Sequence, residues 1–352
     1  VTDLARATPF WYAVLKPLGF GRVACQPDLI FWAREGAQIL MWQGSPPTSA
    51  IRVLLRAASR EAVDALYRRA LTETWTVIEP AAERFYAPGY YSCILADPDG
   101  IRVELVHAWA DLPERDDAEL VHIPGVDGVT LGGYLFSPTA MPTNEKNPSG
   151  VIVMPGYGTD ATDLVWFGQQ LAKAGFVALC LSLRGSLGST GVEDQGFRQP
   201  DDIVAAADWL RARARNVSLL GFSQGAQVAL LAAARPSANP INAVVAYYPC
   251  ADLAAWRDQT AVPGIVEYLS DFVPPERMAA CSPINVARQI RCPTLLVHGD
   301  ADTNVPIAQS HAMVAANSEI RLQTVPGAEH AFRFDQWPGI WSETMSFLAQ
   351  NS

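Results

Sequence analysis

The sequence predicts an α/β fold for residues 119–352, a mostly parallel sheet with helices on both faces, preceded by a smaller α+β domain. Three observations carry this. From Gly150 onward, short apolar runs of strand length alternate with helical stretches, as parallel strands joined by crossover helices do. At Leu219–Ala226 a strand-like run passes through Gly-Phe-Ser-Gln-Gly directly into good helix formers. Before residue 110, the order β-α-β-β-β is seen twice if an opening strand is granted to the first copy.

The elements follow in order. Residues 4–18 read as a helix ending at Gly19, followed by strands at 22–25, 29–33 and 38–42 and a polar Gly-Ser-Pro-Pro loop at 44–47. A second succession has a strand at 50–56, a helix at 59–72 and strands at 75–79, 90–96 and 101–107. Ser59 caps that helix, and Val63, Leu66 and Leu71 give it an apolar stripe. Asp97-Pro98-Asp99-Gly100 is a turn between the last two strands. Residues 110–118 are charged and contain Pro113, which suits a linker. The boundaries are therefore drawn at 1–112, 113–118 (linker) and 119–352. Residues 119–138 form two strands around an Asp127-Gly128 hairpin signal. Then come strand 150–154, helix 161–174, strand 177–183, helix 201–213, the Ser223 unit and strand 243–247. After an irregular insertion at about 250–281 come strand 294–298, helix 307–316, strand 321–325 and a helix from about Ile340.

Composition bounds the partners. With 49% hydrophobic and 18% charged residues over 352 positions, the chain has ample core for two domains. A formal charge of −10 argues against nucleic acid or an anionic membrane as partner. No run spans a bilayer, and residues 1–20 lack the pattern of a signal peptide. The six cysteines are scattered, mostly in apolar runs and without a Cys-x-x-Cys pair. A cytoplasmic protein with reduced thiols is the expectation.

Gly221-Phe222-Ser223-Gln224-Gly225 is the chemical centre. Its glycines remove side chains where a tight turn brings strand and helix together, leaving the Ser223 hydroxyl projecting at the sheet's end. With this unit and the alternation around it, residues 119–352 resemble an α/β-hydrolase, nearest to dienelactone-hydrolase-like esterases and the catalytic domain of the prolyl-oligopeptidase family. The resemblance implies the partners of a serine nucleophile. His298-Gly299-Asp300-Ala301-Asp302 looks like the family's acid loop, with Asp302 facing the histidine and Asp300 bracing the loop. Pro326-Gly327-Ala328-Glu329-His330 looks like its histidine loop, giving His330. The order Ser, Asp, His is the one this fold uses. Met154-Pro155-Gly156-Tyr157-Gly158 looks like the oxyanion loop, so the backbone N–H groups of Tyr157 and Gln224 are the expected donors. The departure is Pro155, where many members carry histidine. Arg184 suits either an anionic substrate group or a structural ion pair. Trp166, Tyr248, Trp256 and Phe332 are candidate pocket residues. The insertion reads as a small cap whose aromatics line the pocket or pack on the sheet.

Residues 1–109 resemble the vicinal-oxygen-chelate fold of glyoxalases and bleomycin-resistance proteins. The carriers are Trp11 to Phe20, Ser59 to Tyr67 and Asp97 to Glu104. That resemblance implies metal ligands on the first and last strand of each repeat. Here the first strand is largely absent, leaving a sheet edge to be covered by the second domain, by residues 119–138 or by another copy in a homodimer. Leu40 and Arg52 stand at two ligand positions, and Glu104 alone survives, read as a solvated strand residue. One carboxylate does not hold a divalent ion, so no metal and no organic cofactor are expected. The reading is a serine hydrolase of carboxylic esters of small molecules, acting through an acyl-enzyme. The alternatives are a small peptidase or amidase, or a small-molecule binder acting through its first domain.

Overall fold

A computed structural model describes residues 3–26, 29–34, 37–42, 52–57, 59–84, 91–107, 111–138, 148–260, 265–266, 269, 273 and 275–351, with only the backbone at 21–38 and 40–52. The chain divides into two compact units, Val1–Ala110 with Pro263–Asp271, and Asp111–Val262 with Phe272–Ser352.

In the first unit, α1 (Leu4–Leu15) begins where the Asp3 carboxylate accepts the Arg6 N–H, and its turn-like continuation stops at Gly19, whose φ is 79°. Strands β1 (Gly21–Gln26), β2 (Leu29–Arg34) and β3 (Ala37–Trp42) pair as an antiparallel meander. Strand β4 (Arg52–Arg56) leads to α2 (Arg60–Thr72), capped by Ser59 through the Ala62 N–H, then to β5 (Thr76–Glu83), β6 (Tyr91–Ala96) and β7 (Arg102–His107). These strands lie in the order β4-β7-β6-β5, with β4 parallel to β7. Phe10, Trp11, Val14, Val63, Leu66, Leu95 and Leu105 share one core. The Trp11 indole N–H donates to Asp97 (3.0 Å), whose other oxygen accepts the N–H groups of Asp99 and Ile101 and so fixes the turn.

Glu104 corrects the sequence reading. It is 1% exposed, because β7 runs between β4 and β6 and Glu104 sits opposite Ile94, itself 1% exposed. The side chains of Leu40 and Arg52 lie outside the described residues. Among the described residues, no group of three or more His, Cys, Asp or Glu side chains could hold a metal ion. No described helix is long and apolar enough to cross a membrane.

The second unit is built on eight strands: β8 (Glu119–Pro124), β9 (Thr130–Phe136), β10 (Gly150–Met154), β11 (Val177–Leu181), β12 (Val217–Phe222), β13 (Val244–Tyr247), β14 (Thr294–Gly299) and β15 (Ile320–Val325). They lie in the order β15-β14-β13-β12-β10-β11-β9-β8. The pairings from β11 through β15 are parallel, whereas β9 joins β11 and β8 antiparallel. Helices α3 (Val165–Lys173), α4 (Gln199–Leu210), α5 (Gln224–Ala233) and α6 (Leu253–Gln259) and those at Ala308–Ala316 and Trp337–Gln350 complete it. The alternation along β10 explains the two-sided burial. Ile152 and Met154 enter the core with Ile203, Leu210, Val228 and Met313; Val151 and Val153 enter the one with Leu171, Phe347 and Leu348. A strand buried on both faces must read as continuously apolar.

Two helix starts differ from expectation. α4 begins at Gln199 and the terminal helix at Trp337, each with a proline in its first turn. That position tolerates proline because the missing N–H would have no intrahelical partner. Residues 161–164 form a tighter 3-10 turn before α3, closed by a reciprocal cap between Asp160 and Asp163. The insertion supplies α6 and a helical turn at Pro275–Met278. Of the insertion, Val262-Pro263-Gly264, Tyr268, Phe272 and Pro274 lie outside the described residues.

Candidate active site

Parallel strands end at one edge of a sheet, and side chains placed in the loops beyond them converge there. Ser223 follows β12, Asp302 follows β14, His330 follows β15 and Tyr157 follows β10. Ser223 has φ 50° and ψ −109°, which turns the chain from strand to helix in one residue. The close approach leaves no room for side chains beside it. A Cβ at Gly221 would lie 2.3 Å from the Gly225 carbonyl oxygen, and one at Gly225 would lie 2.4 Å from that of Pro155.

The structure brings Ser223, His330 and Asp302 together. His330 Nε2 stands 3.1 Å from Ser223 Oγ, and Nδ1 stands 2.8 Å from Asp302 Oδ2. The Asp302 side chain is fully buried and that of His330 is 23% exposed. Burial alone would raise the pKa of Asp302; hydrogen bonds from His298 and then His330 overcome it and hold the carboxyl at about 2. It is therefore ionised at any ordinary working pH. Asp300 takes the other role, its carboxylate accepting the Gly327 N–H at 2.6 Å and tying the acid loop to the histidine loop.

The loop Met154–Gly158 lies against the nucleophile: a Cβ at Gly156 would stand 3.6 Å from Ser223 Cβ. Gln224, 3% exposed, opens α5, so the positive end of that helix faces the Ser223 hydroxyl. Tyr248 is 8% exposed with φ 40°, and its ring lies 4.6 Å from that of His330; Phe332 packs edge-on against it at 5.2 Å. Trp256 is buried, its indole N–H donating to the Asn304 carbonyl, which braces the acid loop. Trp166 is 46% exposed on α3, packed on Phe167 and Trp341.

Arg184 is the structural alternative of the two offered by the sequence. Its guanidinium is buried and gives a forked pair of bonds to Asp202 at 2.6 and 2.8 Å. Asp202 also accepts the Val126 N–H, so the pair ties the β8–β9 turn to α4.

Sequence reasoning missed three groups. His298 contacts Asp302 Oδ2 at 3.2 Å. The Cys250 thiol is pushed well up by burial, opposed by a hydrogen bond with Ser223. At the first turn of α5, Glu193 accepts from the Gln195 N–H, from the Gln224 amide and from the Gln199 amide at 2.8 Å. A histidine closing an apolar strand just before an acid loop was the one readable signal among them.

Burial pushes the Glu193 carboxyl up to about 7 from its ordinary value of 4.5. Between those values the unfolded chain has released this proton and the folded chain retains it, so stability is present below pH 4.5 and is lost as pH rises through 7. Glu193→Gln is therefore expected to flatten the fall in Tm between pH 5 and pH 8. An unchanged fall would show that this carboxyl is not held neutral.

Residues 163–351, more than half of the chain, match the model of the prolyl oligopeptidase family. The acylamino-acid-releasing enzyme of Mus musculus is 29% identical over 223 residues, covering 56% of this chain and 30% of the enzyme. The bis(hydroxyethyl) terephthalate hydrolase of Streptomyces coelicolor is 26% identical over 190 residues, covering 51% of this chain and 47% of that protein. A solved Pyrococcus furiosus esterase superposes with a TM-score of 0.54 at 20% identity, covering 69% of this chain and 98% of the esterase. A Mycobacterium tuberculosis puromycin-hydrolyzing peptidase does so with a TM-score of 0.57 at 20% identity, covering 74% and 44%. The chain spans less than a third of the acylamino-acid-releasing enzymes it matches.

Proposed function

The chain belongs to the prolyl oligopeptidase family of serine hydrolases, and from that premise we propose that it cleaves carboxylic esters of small molecules through an acyl-enzyme. The observation that carries the mechanism is the continuous chain Ser223 Oγ, His330 and Asp302, with contacts of 3.1 and 2.8 Å. A serine hydroxyl is a poor nucleophile until its proton has somewhere to go. In this reading His330 Nε2 takes the proton as Oγ attacks the ester carbonyl, and Asp302 stabilises the imidazolium through Nδ1. The backbone N–H groups of Tyr157 and Gln224 receive the oxyanion, each contributing about 2.7–4 kcal/mol to lowering the barrier. His330 then protonates the departing alcohol, and a water repeats the sequence to release the acid.

Ester cleavage is supported by the S. coelicolor hydrolase among the relatives and by the P. furiosus esterase, almost all of which is spanned by this chain. A second reading, cleavage of acylated amino-acid amides, is favoured by the acylamino-acid-releasing enzymes. For the first unit we retain a vicinal-oxygen-chelate-like module without a metal, supported by its repeated α-β-β-β succession and by β4 parallel to β7. One assay tests the reading: turnover of p-nitrophenyl esters of increasing acyl length against aminoacyl-p-nitroanilides, before and after exhaustive EDTA. Esters are expected to be turned over faster, with EDTA making no difference. Faster turnover of the anilides would overturn the ester reading in favour of the amide one, and loss of activity in EDTA would overturn the metal-free one.

A further inference from the structure

The carboxylate of Asp302 accepts four hydrogen bonds. Oδ1 receives the backbone N–H groups of Asn304 (2.9 Å) and Val305 (2.8 Å). Oδ2 receives His330 Nδ1 at 2.8 Å and His298 Nε2 at 3.2 Å. A carboxylate has about four lone-pair sites, so this one is saturated. His298 is itself fully buried. Its Nε2 lies 2.7 Å from the Val305 carbonyl, and its Nδ1 lies 2.7 Å from the hydroxyl of Ser310, also fully buried. Both neighbours of Nε2 are acceptors only, so Nε2 carries the proton. In the neutral ring Nδ1 then accepts from Ser310.

We propose that His298 is a positioning residue for the catalytic acid: it shares the oxygen that holds His330, and thereby sets how strongly Asp302 draws on the catalytic imidazole. This rests on the serine-hydrolase reading of Ser223, His330 and Asp302. Two histidines compete for one oxygen, so each hydrogen bond weakens the charge available to the other. Removing the His298 donor leaves Oδ2 richer in negative charge and stabilises the His330 imidazolium. Catalysis needs His330 neutral, so its onset moves to higher pH. Among the described residues, the Cys250 thiol also interacts with Asp302 and is kept protonated by burial, while the Tyr248 ring lies beside that of His330.

The test is the pH profile of kcat/KM for a p-nitrophenyl ester. His298→Phe keeps a ring of similar size but donates nothing. It is expected to move the acid limb up by roughly half to one pH unit, the range a single hydrogen bond supplies, with little change in KM. His298→Gln restores an N–H donor and should return the limb toward the parent position. Ser310→Ala removes the hydroxyl that polarises His298 and should give a smaller shift of the same sign. If the phenylalanine variant does not fold, the glutamine and Ser310→Ala pair decides alone: the Ser310 shift must appear and the glutamine limb must stay near the parent's. A folded His298→Phe with lowered kcat and an unmoved acid limb would reduce His298 to packing and overturn the proposal. Failure of the triad reading shows separately, as a parent enzyme whose Ser223 a fluorophosphonate does not label.

Discussion

Replacing Ser223 by alanine is expected to lower kcat for ester hydrolysis by roughly 10^4- to 10^6-fold, with the variant still folded. The side chain lost is small and half-exposed at the strand end, so the cores on either face of the sheet are untouched. What disappears is the atom proposed to attack. His330→Ala should cost about as much, since without a proton acceptor at 3.1 Å the hydroxyl does not become a nucleophile. The double variant should be hardly worse than either single one, because groups acting as one unit lose their contribution together. Residual turnover above water would come from the oxyanion donors and binding. Steady-state kinetics on a p-nitrophenyl ester, beside circular dichroism of each variant, is the measurement. Wild-type kcat in a folded Ser223→Ala protein would remove the nucleophile from the mechanism.

Arg184→Ala is expected to act on the fold and leave the chemistry intact. The Arg184 and Asp202 side chains are 7% and 2% exposed, and removing the cation strands a carboxylate that cannot reach water. Breaking such a pair costs about 3–5 kcal/mol. For a unit of this size that corresponds to a fall in Tm on the order of 10 °C. Asp202→Asn should fall in the same direction by less, since the amide oxygen still accepts one bond. KM of the folded fraction should stay put in both. A raised KM for anionic esters with an unchanged Tm would instead place Arg184 in the substrate pocket.

The contrast between these residues shows what a sequence discloses. The elbow was legible because everything it needs is local: two glycines, a strand before and a helix after lie within a few residues. The succession of β10 through β15 along the chain was legible because strands buried on both faces read as unbroken apolar runs; their order in the sheet was not. The helix starts at Gln199 and Trp337 lie a little before the positions read from the sequence, with Pro200 and Pro338 inside the first turn, which accepts proline. Glu104 was unreadable because its burial depends on which strands flank β7, a matter of pairing across the sheet. The contacts of His298 and Glu193 were hidden in the same sense. Their partners, Ser310 for one and Gln224 for the other, lie 12 and 31 residues away and are brought near only by the folded chain.

Ser223 itself sits at odds with the structure that displays it. Its φ of 50° and ψ of −109° belong to a region that side-chain-bearing residues avoid, at a cost of about 1–3 kcal/mol. Against a total stability of some 5–15 kcal/mol for a typical domain, that is no small fraction. Glycine would relieve the strain at this position and silence the enzyme in the same change. At this one residue, stability and the proposed chemistry therefore pull in opposite directions. The hydroxyl that the proposed mechanism needs is thus held at the expense of the backbone that carries it.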